Sequence, residues 1–288
     1  MYDRIGQTTQ NALDRSGYSL YEKKIISNRD FPIEILIKSS SNLREKKAIF
    51  GLHWHEHIEL HYIISGVLEG TVDQRTYVVR EGDLAVFNGN VLHSGFCSSE
   101  VTTLVIIFRM EDLAGEFADK NIVFQEMVSQ DAFVKELMTD IYEEYERKEI
   151  GYLLVCKGKI LQLISYLTRN YSHAMLTEKE SLKHMKKLER LNTVRHYIEH
   201  HYTEDITNGE LAALIHLSED RFNHLFKECL GVSPLQYMNE VRLDKAMQLL
   251  KSGHCGAAEV AGMVGFGDYN YFGRIFRRKF GVTPTQVK

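Results

Sequence analysis

No apolar run in these 288 residues reaches the roughly 20 needed to span a bilayer; the longest, Val101–Phe108, is strand-sized. The polar stretch from Met1 to about Lys24 lacks the apolar centre of a signal peptide. A cytoplasmic protein with no membrane partner is therefore expected. Cysteine is scarce. Cys97, Cys156, Cys229 and Cys255 form no CxxC pair, so no zinc knuckle or redox motif is visible, and they read as small core residues in a reducing compartment. Excess positive charge is also missing, the formal net charge being −4. That would argue against a nucleic-acid partner if the charge were uniform, which it is not. From Lys183 to the end, 15 Lys/Arg stand against 12 Asp/Glu, whereas the preceding residues carry 20 against 27. The cationic excess lies where a C-terminal DNA-binding part would need it.

What is present suggests two domains. The length allows about 100–200 residues for each, and 44% hydrophobic with 26% charged residues is ordinary for a globular chain. From about Ile33 to Phe108, short β-branched or aromatic segments such as IELHYIISG, GTVDQRTYVV and GDLAVF are bounded by Gly, Asn or Asp. They predict an antiparallel barrel or sandwich. After Asp112 the period changes to 3.6, and Phe133, Leu137, Ile141 and Tyr145 mark the first of two amphipathic helices. Ser172–Lys187 is polar and has no strong stripe. Everything beyond reads as helix. The expected division is residues 1–171, a sensing and dimerisation domain; 172–187, a linker; and 188–288, a DNA-binding domain.

The last third contains a repeat. RFNHLFKECLGVSPLQ (Arg221–Gln236) and YFGRIFRRKFGVTPTQ (Tyr271–Gln286) align at an offset of 50: Phe222 with Phe272, Phe226 with Phe276, Gly231 with Gly281, Pro234 with Pro284. Upstream, LAALIHL aligns with VAGMVGF at an offset of 49. Each copy predicts helix, tight turn, helix. Thr207 or Asn208, Ser218 and Asp268 are candidate caps. Phe222, Leu225, Phe226 and Cys229 form one buried face, and Phe272, Ile275, Phe276 and Phe280 the other. Asp220, Arg221, Asn223, His224 and Lys227 then face outward in the first copy. Tyr269, Asn270, Tyr271, Gly273, Arg274, Arg277 and Arg278 do so in the second. A helix fits the major groove and reads bases near its N-terminus, while trailing cations, Lys227 and Arg277–Lys279, suit phosphate. A helix from about Pro234 to Lys251 would span about 27 Å, close to the roughly 34 Å between successive groove faces.

VRLDKAMQLL (Val241–Leu250) followed by VAGMVGFGDYNYFGRIFRRKFGVTP (Val260–Pro284) resembles the signature of the AraC/XylS family of bacterial transcription regulators, over about 100 residues from Leu188. The resemblance implies base-reading positions at Asp220, Asn223, His224, Tyr269, Asn270, Gly273 and Arg274. Asp220 is acidic and Gly273 has no side chain, so the operator sequence does not follow.

HWHEHIELHYIISG is the second dense motif. His53, His55 and Glu59 share strand parity, and His93 lies in a later segment. His57 and His61 share that parity too; Trp54 does not, and reads as outer packing. The set is similar to the cupin pattern HxHxxxE with a later His, although Asn88, Asn90 and Cys97 stand where that pattern has Pro, Gly and Asn. Such a barrel mouth is an expected ligand site. Three imidazoles and a carboxylate can ligate a divalent metal; they can equally bind a polar effector without metal, or serve structure alone.

The resulting expectation is an α+β multidomain chain: a cupin-like antiparallel β-barrel with flanking helices, then an all-α domain with two helix-turn-helix motifs. Its function would be sequence-specific transcriptional regulation, by family tendency activation, in response to a small polar effector such as a carbohydrate. His53, His55, Glu59 and His93 are the candidate effector or metal residues; no cofactor is required, with a divalent metal left open. Double-stranded DNA, the effector, RNA polymerase and a second copy of the chain are the expected partners. A metal-dependent cupin enzyme with an accessory helical domain, or a DNA-architectural adaptor, would be the alternatives.

Overall fold

The computed structural model describes residues 20–26, 31–40, 47–113, 117 and 121–287. The chain divides into two compact units between Glu189 and Arg190.

The first unit is built on eight strands: β1 (Ile33–Ser40), β2 (Lys47–His53), β3 (Ile58–Ser65), β4 (Val67–Val72), β5 (Arg75–Arg80), β6 (Leu84–Phe87), β7 (His93–Cys97) and β8 (Val101–Phe108). They occupy the span read as β from sequence. A short helix, α1 (Met110–Leu113), and strands β9 (Asn121–Phe124) and β10 (Met127–Val128) follow. The order β1-β8-β3-β6-β10 makes one sheet and β2-β7-β4-β5 another, and the pairings within both are antiparallel. Ile63, Val79, Phe87, Cys97 and Val101 meet in one core, so the two sheets face each other.

The outer face of the five-stranded sheet is covered. Ile58, Leu60, Tyr62, Leu104 and Ile106 pack with Leu137, Met138 and Ile141 of α2 (Ala132–Arg147) and Ile160, Leu163 and Leu167 of α3 (Tyr152–Asn170). β3 is thus covered on both faces, and its first six residues are all buried. Its other parity, Glu59 and His61, points between the sheets.

The polar segment 172–187, expected as a linker, holds regular structure. β11 (Ser172–Leu176) pairs antiparallel with β9, and α4 (Glu178–His201) begins directly after. β11 is exposed at four of its five residues, so no apolar alternation betrays it.

The second unit comprises the end of α4 and α5 (Asn208–Leu214), α6 (Glu219–Leu230), α7 (Pro234–Ser252), α8 (Ala257–Met263) and α9 (Tyr269–Phe280), closed by a 3-10 turn at Pro284–Gln286. Thr207 caps α5 in a reciprocal capping box with Glu210, and Ser233 caps α7 with Gln236. Ser218 stands at the cap of α6 but makes no side-chain hydrogen bond there. Asp268 caps α9, accepting from the Asn270 and Tyr271 amides at 2.8 and 3.1 Å. Phe222, Phe226, Phe272 and Phe276 are fully buried.

Arg242 ties α7 to the end of α4. Its Nε and Nη2 donate to the carbonyl oxygens of Tyr202 and Glu204 at 2.6 and 2.8 Å. Nearby, Glu199 Oε1 accepts from Tyr237 and Arg195 at 3.0 and 3.1 Å. Burial raises the Glu199 carboxyl, with the Arg195 charge acting against it.

The candidate DNA-reading surface and the barrel cluster

In each repeat the short helix and the turn fix the pose of the long helix. The second turn needs Gly265, whose φ is +90° and where a Cβ would lie 2.8 Å from the Thr203 carbonyl oxygen. The first turn places His216 at a φ of 55°, the offset-49 partner of that glycine.

On α6, Asp220, His224 and Lys227 are exposed. Asn223 is half-buried, and its Oδ1 accepts from Asn208 Nδ2 at 3.2 Å, leaving its own amide as donor. On α9, Tyr269, Asn270, Arg274, Arg277 and Arg278 are exposed, and Gly273 has open space where a Cβ would be. The Arg274 guanidinium lies 5.6 Å from the centre of the Tyr271 ring, a cation–π distance. Asn239 of α7 donates to the Tyr271 hydroxyl at 3.2 Å, so that ring is itself held. Among the described residues, Arg277 and Arg278 take part in no ion pair. Lys279, read from sequence as a phosphate contact, instead pairs with Asp244 at 2.7 Å and donates to the Glu240 carbonyl. The spacing on α9 turns it toward α7, a tertiary contact that helix periodicity alone does not show.

The barrel cluster lies between the sheets. Register places His53 opposite His93 across β2 and β7, with ring centres 4.3 Å apart; those of His55 and His93 are 5.0 Å apart. One ligand atom from each of His53, His55, Glu59 and His93 fits within a 4.8 Å span, and all four residues are buried. The space between them suits an ion or a water rather than a sugar ring. Phe87 stacks on His93 at 4.9 Å, and Phe50 closes the other side. Gly95 makes room for Phe50: a Cβ there would lie 2.4 Å from its ring.

Hydrogen bonding orients the imidazoles. His53, His55 and His93 each present Nδ1 to a backbone carbonyl, of Gly51, His57 and Val91, at 2.8, 3.0 and 2.8 Å. Metal-binding histidines are commonly held in this way, which turns Nε2 toward the ion. His93 Nε2 is buried with no partner. His55 Nε2 faces Glu59 Oε1 at 3.1 Å. His53 Nε2 lies 2.9 Å from Glu22 Oε2, a charge contact off the line of a hydrogen bond. A neutral imidazole donates through one nitrogen only. With Nδ1 donating, the unpartnered Nε2 of His93 presents a lone pair, and a cation between these groups would satisfy it. The four residues therefore fit a divalent metal.

Three more residues contribute, of which the sequence pattern showed only His61. His61 donates from Nε2 to Glu59 Oε2 at 3.0 Å. Lys24 places Nζ 2.7 Å from Glu59 Oε1 and 3.3 Å from Glu22 Oε1. The parity of His61 was legible; the partners from residues 20–26 lie outside any strand pattern. Burial would raise the Glu59 carboxyl, but the hydrogen bonds of His55 and His61 and the Lys24 charge hold it well below the usual range. Contact with His53, aided by Lys24 and opposed by burial, brings Glu22 down to about 2. Burial lowers His61 and His93, and takes His57 down to about 4. Trp54 is buried as expected, with Tyr21 against it at 4.8 Å between ring centres.

A separate cavity of about 300 Å³ opens beside the cluster within the first unit. Glu56, Asn90, Arg109, Glu126, Ser181 and His184 are among its lining residues. Asn90 Oδ1 is buried there without a partner.

Comparison with known proteins covers both parts of the chain. Residues 43–164 match the family profile described as an AraC-like ligand binding domain, and residues 211–288 match a helix-turn-helix domain. Together the two matches span more than half the chain. The probable transcriptional regulator LumQ of Photobacterium leiognathi is 27% identical over 91% of this chain and 98% of its own. The transcriptional activator RhaS of Klebsiella pneumoniae (strain 342) is 35% identical over 34% of this chain and 36% of its own. A solved structure, that of a probable AraC family transcriptional regulator from Rhodopseudomonas palustris CGA009, aligns with 34% of this chain and 94% of its own at 30% identity and a TM-score of 0.33.

Proposed function

The chain belongs to the AraC family of DNA-binding transcriptional regulators, and from that premise we propose that it reads a specific operator through α6 and α9 in response to a small polar effector. The observation that carries this reading is the twice-repeated helix with a phenylalanine face buried and a polar face exposed, mixed in charge on α6 and cationic on α9. An enzyme has no use for such a pair, and the relatives are regulators. Asp220, Asn223, His224, Tyr269, Asn270 and Arg274 meet base edges, with Gly273 permitting close approach. Lys227, Arg277 and Arg278 meet phosphates, which supply affinity without sequence information. The DNA-binding part is residues 188–288, and residues 1–171 form the sensing part, joined through 172–187.

We assign the effector to the cavity of about 300 Å³ rather than to the space among the histidines. Carboxylates, a guanidinium, an amide and an imidazole there suit a polyhydroxylated ligand, a carbohydrate being the leading class. The four-residue cluster is left for a divalent ion, with His53, His55, Glu59 and His93 as ligands. When bound, such an ion would supply a fixed positive charge to the barrel interior.

By likeness to the RhaS activators, the protein activates transcription and so acts with RNA polymerase in the cytoplasm. It works as a homodimer. Leu154 of α3 is 76% exposed, and Leu161, seven residues on, shares its helix face. Dimers suit operators with two half-sites.

Footprinting of the full chain on its own upstream region and on random-sequence DNA tests the reading, with and without candidate sugars. Protection of a discrete sequence whose affinity changes with one sugar is expected. Uniform, weak protection of all sequences would refute it.

A further inference from the structure

We infer that Lys24 is a built-in stand-in for the divalent ion, so that the ammonium and a metal are alternative occupants of the histidine cluster. This rests on the metal reading of the four residues and adds to it a competitor and a consequence.

The segment Leu20–Ile26 reaches the cluster along Trp54. The Glu22 amide donates to the Trp54 carbonyl at 3.0 Å, and the Trp54 amide donates to the Leu20 carbonyl at 2.6 Å. This contact delivers Lys24 Nζ to Glu59 Oε1 at 2.7 Å, the same oxygen that faces His55 Nε2 at 3.1 Å. The adjacent Glu22 meets His53 Nε2 at 2.9 Å. The segment thus brings one positive and one negative group into contact with two of the four metal ligands.

Glu59 is buried and charged, and an unpaired buried carboxylate is costly, so a cation must stay beside it. Lys24 supplies that cation. A metal bound by Glu59 and His55 would lie about 2.0–2.2 Å from each ligand atom. That position is on the carboxylate oxygen Lys24 now holds, in a buried setting where two cations repel strongly. Ligation through His53 would also engage the nitrogen that Glu22 now meets. Metal loading therefore requires Lys24 to withdraw, and its withdrawal breaks the segment's ion pair with Glu59 and loosens its contact with Trp54.

Trp54 reports this directly. It is the only tryptophan in the chain and is 2% exposed, with Tyr21 of the same segment against its ring. Release of the segment uncovers it.

The experiment is a titration of the full chain with zinc, following bound metal by equilibrium dialysis and Trp54 emission in parallel. It compares the natural sequence with Lys24→Met, which keeps the aliphatic stem without the charge, and His93→Ala. The last variant separates cluster binding from binding at His196 and His200, which lie one turn apart on α4 with ring centres 4.1 Å apart. Circular dichroism verifies that each variant is folded. We expect one zinc per chain lost in His93→Ala, a red shift of Trp54 on loading, and at least tenfold tighter binding by Lys24→Met. Zinc bound at the cluster with unchanged Trp54 emission, or with equal or weaker affinity in Lys24→Met, would overturn the exchange while leaving the metal site standing. No zinc at the cluster in either folded protein would overturn both.

Discussion

Replacing Arg274 and Arg277 in turn separates base reading from phosphate binding on a single helix. The two residues lie three apart on α9 and both are exposed. Their settings differ. Arg274 rests over Tyr271, whose hydroxyl is held by Asn239, so its guanidinium is preorganised near the start of the helix. Arg277 lies in the last turn with no ion pair among the described residues. A side chain bidentate to a base is worth about 1–3 kcal/mol at one position. Arg274→Ala should therefore weaken binding to the preferred operator by about 5-fold to 150-fold, and should nearly abolish discrimination at one base pair. Arg277→Ala should weaken every sequence alike and reduce the slope of log affinity against log salt by about 0.9. Fluorescence anisotropy on the operator, on its single-base variants and on unrelated DNA, at four salt concentrations, gives both quantities. The same loss on all sequences for both variants, or the same salt slope in both, would refute the division of roles.

Other consequences follow from the same geometry. Gly273 costs α9 about 0.5–1 kcal/mol relative to alanine and has open space around it. Gly273→Ala should raise thermal stability yet lower operator affinity; unchanged affinity would remove the glycine from the DNA surface. Arg242→Met leaves the Tyr202 and Glu204 carbonyls without their donors, and calorimetry should show the second unit destabilised by about 2–4 kcal/mol. A loss under 1 kcal/mol would mean water replaces the arginine. His216→Gly relieves a left-handed residue and should stabilise that unit by about 1 kcal/mol, a gain that chemical denaturation would detect and a loss would contradict. Leu154→Lys should convert a dimer to a monomer in sedimentation; an unaltered dimer would place the interface elsewhere.

The parts of the fold set by short-range pattern were legible. Phe222 and Phe226, with their counterparts fifty residues on, announced two buried helix faces, and the alternation in β3 placed Glu59 and His53's partners on one side. What escaped depends on contacts between distant segments. β11 is a strand because β9 offers it an edge, not because its exposed residues prefer one. Lys279 is lost to Asp244 because α9 meets α7. Lys24 and Glu22 enter the histidine cluster through two backbone hydrogen bonds to Trp54, which no periodicity records. The cluster's four candidate ligands were readable from parity, but the packing of Phe87 and Phe50 against His93, which helps make the cluster compact, was not.

Selection of bound sequences from random DNA by the full chain, repeated at rising salt, tests most directly whether α6 and α9 together read one face of the duplex. α7 is 19 residues long, about 28 Å, a length that on the proposed reading would set the two readers in successive grooves. Recovered sequences should contain two short conserved elements whose centres lie about 10 base pairs apart, one roughly helical turn, with affinity falling steeply as salt rises. Recovery of no common sequence, or of a single element indifferent to the loss of Arg274, would contradict the account.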